Sequence, residues 1–285
     1  MKTYSIENIS IWADGLDHPE CIAIDSEGIL WAGGEAGQIY RIASEGAVEE
    51  VANTGGFVLG IAFSPDGWLA VCDLKNKCVW RYQPDTRQLS VFTKGMEDRH
   101  FRTPNFPVFD AAGNLYVSDS GEFRKENGCI FKFSVDGKKE IWHPGPFAFA
   151  NGMALSADGD KLYVVSTWLP GVEAISILPD GAAGERSTVV ELPETCPDGI
   201  ALDQEGNMLI SCYAPNTIYS LDKTGTLSVL LHDWESHTIC NPTNIAFGGK
   251  NNSDLFIANL GRWHISKLSL DKAGLLLAGQ KNNSK

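Results

Sequence analysis

Cys196-Pro-Asp-Gly-Ile-Ala-Leu-Asp-Gln-Glu-Gly-Asn-Met-Leu-Ile-Ser-Cys-Tyr213 reads as two strands and the hairpin between them. Residues 199–203 are a short apolar strand. Asp203-Gln-Glu-Gly206 is a turn, with Gly where a positive φ costs little. Residues 207–213 form the second strand, and apolar runs at 217–221 and 227–232 predict a third and a fourth. Short strands at regular spacing with turn signals between them indicate an all-β chain.

Five more copies of the unit begin at His18-Pro-Glu-Cys-Ile-Ala-Ile, Val58-Leu-Gly-Ile-Ala-Phe, Pro104-Asn-Phe-Pro-Val-Phe, Ala150-Asn-Gly-Met-Ala-Leu and Pro242-Thr-Asn-Ile-Ala-Phe. Successive spacings of 39, 46, 46, 47 and 45 residues belong to propeller repeats, whose small sheets cannot bury their faces alone. The expected fold is a six-bladed β-propeller with four antiparallel strands per blade. The N-terminal Asn8-Ile-Ser-Ile-Trp-Ala should close the last blade by pairing with Trp263-His-Ile-Ser-Lys-Leu, which removes two exposed sheet edges. One domain is expected over residues 1–279, with Ala273-Gly-Leu-Leu-Leu-Ala packed on the outside and a disordered tail at 280–285.

The net charge is −13, with basic residues scattered singly. Nucleic acid and anionic membranes both need a basic face, so neither is an expected partner. No apolar run is long enough to span a bilayer, and the N-terminus has an early acid and no apolar signal core. The seven cysteines are odd in number and form no C-x-x-C pair. Buried free thiols in a cytoplasmic protein, monomeric or weakly self-associating, are expected.

The repeats separate structural from chemical residues. Asp/Gly turns recur in nearly every copy and need only side-chain-to-backbone bonding. The position two residues before each apolar core instead reads Glu20, Leu59, Asn105, Asn151, Asp198 and Thr243. Asn and Asp are also turn formers, but that reading predicts interchangeable small polar residues in all six copies. Leu59 and Thr243 break it, and Glu20 is a poor turn former. Four oxygen-bearing side chains at one equivalent point of a ring would converge on its axis, where they suit a hard divalent cation. The second strands should end at the same face, so Glu35, Asp73, Asp119, Thr167, Tyr213 and Asn259 are expected around the mouth. Each also fits a solvated strand end.

At these residues the chain resembles the gluconolactonase family, also called the senescence-marker-protein-30 or regucalcin family. Diisopropyl-fluorophosphatase shares its fold, and strictosidine synthase is more distant. The resemblance runs through His18-Pro-Glu20, Asn105 before Asp110-Ala-Ala-Gly-Asn-Leu-Tyr-Val, Phe149-Ala-Asn151-Gly-Met-Ala-Leu-Ser-Ala-Asp-Gly, Cys196-Pro-Asp198-Gly-Ile-Ala-Leu-Asp and Pro242-Thr-Asn-Ile-Ala-Phe-Gly-Gly. It implies that Glu20, Asn151 and Asp198 bind one divalent cation. Asn105 would complete the coordination or hold the substrate. Oxygen ligands put calcium first, then magnesium or manganese, with zinc lower.

The implied activity is metal-dependent opening of a lactone, with Asp198 orienting or deprotonating the attacking water. Phosphoester or P–F hydrolysis at the same site, a metal-free condensing enzyme and a calcium-binding scaffold are the alternatives. Substrate-binding candidates are Asn105, Thr103, Phe106, Asp119, Thr167, Tyr213 and His18. Sugar lactonases of the family often show Arg-x-Asn-Asp where this chain has Thr103-Pro-Asn105-Phe106. Phe57, Phe106, Phe147, Phe149 and Trp168 add apolar surface, so a less polar lactone or ester is as well supported as a sugar lactone.

Overall fold

The computed structural model describes residues 2–280, and the tail expected at 280–285 lies, from residue 281 on, outside the described residues. The described residues form six four-stranded antiparallel sheets, five of them running in chain order from an inner strand to an outer one and the sixth taking its outer strand from the N-terminus. The inner strands are Cys21–Ile24, Val58–Phe63, Pro104–Phe109, Ala150–Leu155, Cys196–Leu202 and Pro242–Gly248. Each touches the inner strand of the next sheet, and the last touches the first. The sheets are therefore the blades of a closed six-bladed propeller, numbered 1 to 6 from Cys21–Ile24. As expected, Ile9–Asp14 is the outer strand of blade 6 and pairs antiparallel with His264–Ser269.

Burial follows position in the blade. The inner strand of blade 6 is buried at every residue, whereas the outer strand Val48–Asn53 has no fully buried residue. Strands packed on both faces read as nearly continuous apolar runs, which is why the inner strands stand out in the sequence. The Asp/Gly turns do the work expected of them. Asp203 accepts hydrogen bonds from the backbone of Glu205 and Asn207 at 2.9 and 2.8 Å, and Gly206 holds a φ of 83°. Edge-on aromatic pairs join neighbouring blades, with Trp31 against Phe63 and Trp68 against Phe109.

Residues 273–278 depart from expectation. They do not lie on the outer wall but cross the end of the axis where the inner strands finish. Gly274 bridges to Asp203, the Leu275 N–H donates to the Leu202 carbonyl, and Ala278 packs against the core shared by blades 2 and 3. The segment caps an axial cavity of about 300 Å³, lined by Ile22, Ile61, Met153, Ile200 and Ile245 of five inner strands. These ends are apolar, whereas the outer strands are half solvated, so the leucines bury more surface at the axis. Among the described residues, no helix is long and apolar enough to cross a membrane.

Candidate functional site

A backbone irregularity creates the site. In five blades the inner strand gains one residue on its neighbour near its start: between Val58 and Gly60, Pro104 and Pro107, Ala150 and Met153, Pro197 and Ile200, and Pro242 and Ile245. Leu59, Asn105, Asn151, Asp198 and Thr243 all fall inside these bulges. A bulge takes a residue out of the ladder and re-aims its side chain. In blade 1, Glu20 just precedes the strand, its N–H donating to the Gly33 carbonyl at 3.2 Å.

Glu20, Asn105, Asn151 and Asp198 are all buried. The two amides are oriented by hydroxyls. Asn105 Nδ2 donates to Ser120 Oγ at 3.0 Å, and Asn151 Nδ2 donates to Thr167 Oγ1 at 3.1 Å. Those hydroxyls donate onward to the carbonyls of Ala150 and Pro197. With its NH₂ so committed, each amide turns its oxygen away from the hydroxyl. Glu20 Oε2, Asn151 Oδ1 and Asp198 Oδ1 are buried without a hydrogen-bond partner among the described residues. Unsatisfied buried acceptors are costly and rare in native folds.

The electrostatics agree. Burial pushes the Glu20 carboxyl well above the usual carboxylate range, and the charges of Asp198 and Glu35 add to the rise. Burial also raises Asp198 from 3.8 to about 7, against the lowering effect of a hydrogen bond from Asn151. Neither carboxylate is ion-paired among the described residues. Two carboxylates and two amide oxygens are donors of the kind a hard divalent cation takes. Among the described residues no three His, Cys, Asp or Glu side chains are placed so as to hold a metal ion, so a cation here would depend on the amides as much as on the carboxylates.

The sequence reading overlooked two kinds of supporting residue. Ser118 Oγ accepts from the Phe106 N–H inside its bulge and donates to the Asn151 carbonyl of the next blade, both at 2.9 Å. Ser211 Oγ accepts from the Gly199 N–H and donates to the Thr243 carbonyl. Glycine is the second kind. Gly60, Gly152 and Gly199 each follow the bulge residue, and a Cβ on them would lie 2.4–2.6 Å from the carbonyls of Asn105, Asp198 and Thr243. The repeat of Gly at this point in three copies was a readable signal.

Gly152→Ala is therefore expected to push the Asp198 backbone outward. It should cost about 1–3 kcal/mol of stability and lower cation affinity roughly tenfold or more, with the far-ultraviolet spectrum unchanged. Unaltered affinity by calorimetry would show that the strand contact does not set the site.

Several residues expected to meet substrate are used internally. Asp119 is fully buried, and its carboxylate accepts from the N–H groups of Arg102, Thr103 and Gly121. Asp73 accepts from Phe57 and Asn76, and Asn259 from Cys240. These strand ends face the amides of the incoming loop, so they tie that loop down and are not solvated. Thr167 orients Asn151, and Thr103 Oγ1 donates to the Gly121 carbonyl at 2.7 Å. Phe106 lines the axial cavity. Phe147 is buried, with the Arg186 guanidinium 3.9 Å above its ring.

His18 and Tyr213 remain on the rim. His18 Nδ1 lies 3.0 Å from Asp17 and 3.5 Å from Glu35, with its ring against Trp263. The Tyr213 hydroxyl is held above its ordinary range by burial, with Glu20 and Asp198 adding to the rise. All seven cysteines are free, with Cys196 and Cys240 half-buried and the other five buried.

Residues 18–260 match the family model described as the SMP-30/Gluconolactonase/LRE-like region. A gluconolactonase of Zymomonas mobilis is 27% identical over 219 residues, which cover 70% of this chain and 60% of that protein. Among solved structures, a gluconolactonase from Xanthomonas campestris superposes with a TM-score of 0.78 at 20% identity, over 92% of this chain and 89% of that one. A calcium-binding protein, regucalcin, from Agrobacterium tumefaciens also superposes at 0.78, with 15% identity, over 97% of this chain and 98% of that one. The two structural likenesses show a shared fold.

Proposed function

Because the chain belongs to the SMP-30/gluconolactonase/LRE-like family, we propose that it is a lactonase dependent on one divalent cation. The observation that carries this reading is the set of three buried oxygens, on Glu20, Asn151 and Asp198, that no group among the described residues satisfies. Glu20, Asn151 and Asp198 would hold the cation, with Asn105 as fourth ligand or substrate anchor. Calcium is the first candidate, and magnesium, manganese and zinc follow. When bound, the cation supplies Lewis-acid polarisation of a carbonyl and a lowered pKa for water.

The chain's own residues do the rest. The bulged backbones fix where the four side chains point. Ser120 and Thr167 keep the amide oxygens, not the NH₂ groups, on the reacting side. Asp198 accepts a proton from the attacking water as its oxygen bonds to the lactone carbonyl carbon. The ring C–O bond then breaks, and the proton passes to the departing ring oxygen, leaving a hydroxy acid. His18 and Tyr213 border the entrance, where they can contact the substrate.

The test is hydrolysis of sugar and non-sugar lactones by chelated protein with single metals restored. Turnover should return with one metal and not without it. Tight binding of a metal with no lactone opened would overturn the lactonase reading and favour phosphoester hydrolysis at the same residues.

A further inference from the structure

One side of the rim is built differently from the rest. The loop between the second and third strands of blade 3 spans residues 120–125, six residues, against four or fewer in the other blades. Its base is pinned. Asp119 accepts from the Gly121 N–H, Thr103 donates to the Gly121 carbonyl, and the Glu122 N–H donates to Asn127 Oδ1 at 2.8 Å. Its tip reaches over blade 4. There Phe123 packs edge-on against Phe149 and Trp168, with centroids 6.1 and 5.3 Å away at angles of 90° and 89°.

Three features of this corner are costly unless something binds there. Phe123 is 67% exposed, although packing its ring further would be favourable. Phe149 holds a φ of 68°, an outlier for a bulky residue of the sort that gathers at ligand clamps. Trp168 Nε1 is buried with no acceptor among the described residues.

Arg124 lies beside them, 5.6 Å from the rings of both Phe123 and Trp168. Its neighbour Lys125 is paired with Glu122, but Arg124 has no carboxylate partner among the described residues. An exposed guanidinium with no countercharge, held over two rings, offers a local positive site to an anion in a chain of net charge −13. The corner adjoins the candidate site directly. Phe149 is two residues before Asn151, and Trp168 follows Thr167, which orients the Asn151 amide.

We propose that Phe123, Phe149, Trp168 and Arg124 form a subsite for an aryl group bearing a carboxylate, so that the substrates are aromatic lactones with an acidic substituent. The rings take the planar apolar body, and the guanidinium takes the anion. The pinned loop holds this arrangement before binding, which limits the ordering cost. The inference rests on the proposed function only for the statement that a lactone is opened beside Asn151 and Asp198.

The test uses calorimetric titration of the full-length protein with naphthoate, naphthamide and hexanoate. Naphthoate should bind roughly tenfold more tightly than either of the others. Arg124→Gln should remove its advantage over naphthamide, and Phe123→Ala its advantage over hexanoate. Equal affinity for the three probes, or an advantage that survives both substitutions, would overturn the subsite. Binding here needs no turnover. A protein that opens lactones but shows no preference loses the subsite alone, and one that shows the preference but opens no lactone loses the lactonase reading alone.

Discussion

Asp198→Asn is expected to lower lactone hydrolysis by about 10²–10³-fold and, in the same molecule, to make the metal-free protein harder to unfold. The two effects share one cause. Asp198 is buried beside another carboxylate, and burial is what lifts it from 3.8 to about 7. A carboxyl whose folded pKa exceeds its unfolded value stabilises the fold below the unfolded value, and that contribution is lost as the pH rises through the folded one. The wild-type, stripped of metal, should therefore lose the Asp198 contribution between about pH 4 and pH 7, and Glu20, raised in the same direction, adds to the loss.

Asparagine carries no charge to bury, so the advantage of the variant should be absent at pH 4. It should reach on the order of 3 kcal/mol by pH 8. Removing that charge also relieves Glu20, which feels Asp198 directly. Urea unfolding of chelated wild-type and variant at the two pH values measures the difference. A variant less stable than wild-type at pH 8 would mean that the folded chain compensates the charged carboxylate beyond the Asn151 hydrogen bond, and the case for a cation there would fail.

Arg186→Met should destabilise the protein by about 3 kcal/mol. Arg186 Nε and Nη2 each lie 2.8 Å from an oxygen of Glu173, which is itself buried. Without the arginine, Glu173 keeps, among the described residues, the hydroxyl of Ser166 at 2.6 Å, a poor substitute for a countercharge. The same guanidinium donates to the Pro146 carbonyl and covers Phe147, on the approach to Asn151. Cation affinity should fall with stability for that reason. Adding Glu173→Leu to Arg186→Met should recover most of the lost stability, since a buried pair replaced on both sides is often neutral. A single variant losing less than about 1 kcal/mol would show that solvent reaches Glu173.

Much of this molecule could be read before its structure was known, because repetition acts as an internal alignment. Gly206 and Gly28 stand at equivalent turns, so one explanation serves both. Ile200 and Ile245 stand at equivalent core positions, so the number of blades follows. The strand at Ile9–Asp14 was legible for the same reason, since blade 6 lacked an outer strand and the N-terminus carried the missing pattern. Glu20, Asn105, Asn151 and Asp198 stood out by differing where the other repeat positions agreed.

Direction and long-range contact were not legible in this way. Asp119 and Asp198 are both aspartates at strand ends near one face, yet the ladder turns the first into backbone amides and the bulge sets the second free. Residues 273–278 were read as an outer strip because their leucines say only that they seek cover, not which apolar surface is unfilled. Phe123 and Trp168 lie in different blades and share no repeat position, so nothing in the order of residues brings them together. The sequence by itself determined the blade, the ring and the equivalent positions, because local propensity and periodicity act within one repeat. Only the tertiary structure decided which side chain faces the axis, an amide or solvent, because that depends on one-residue bulges and on packing between blades.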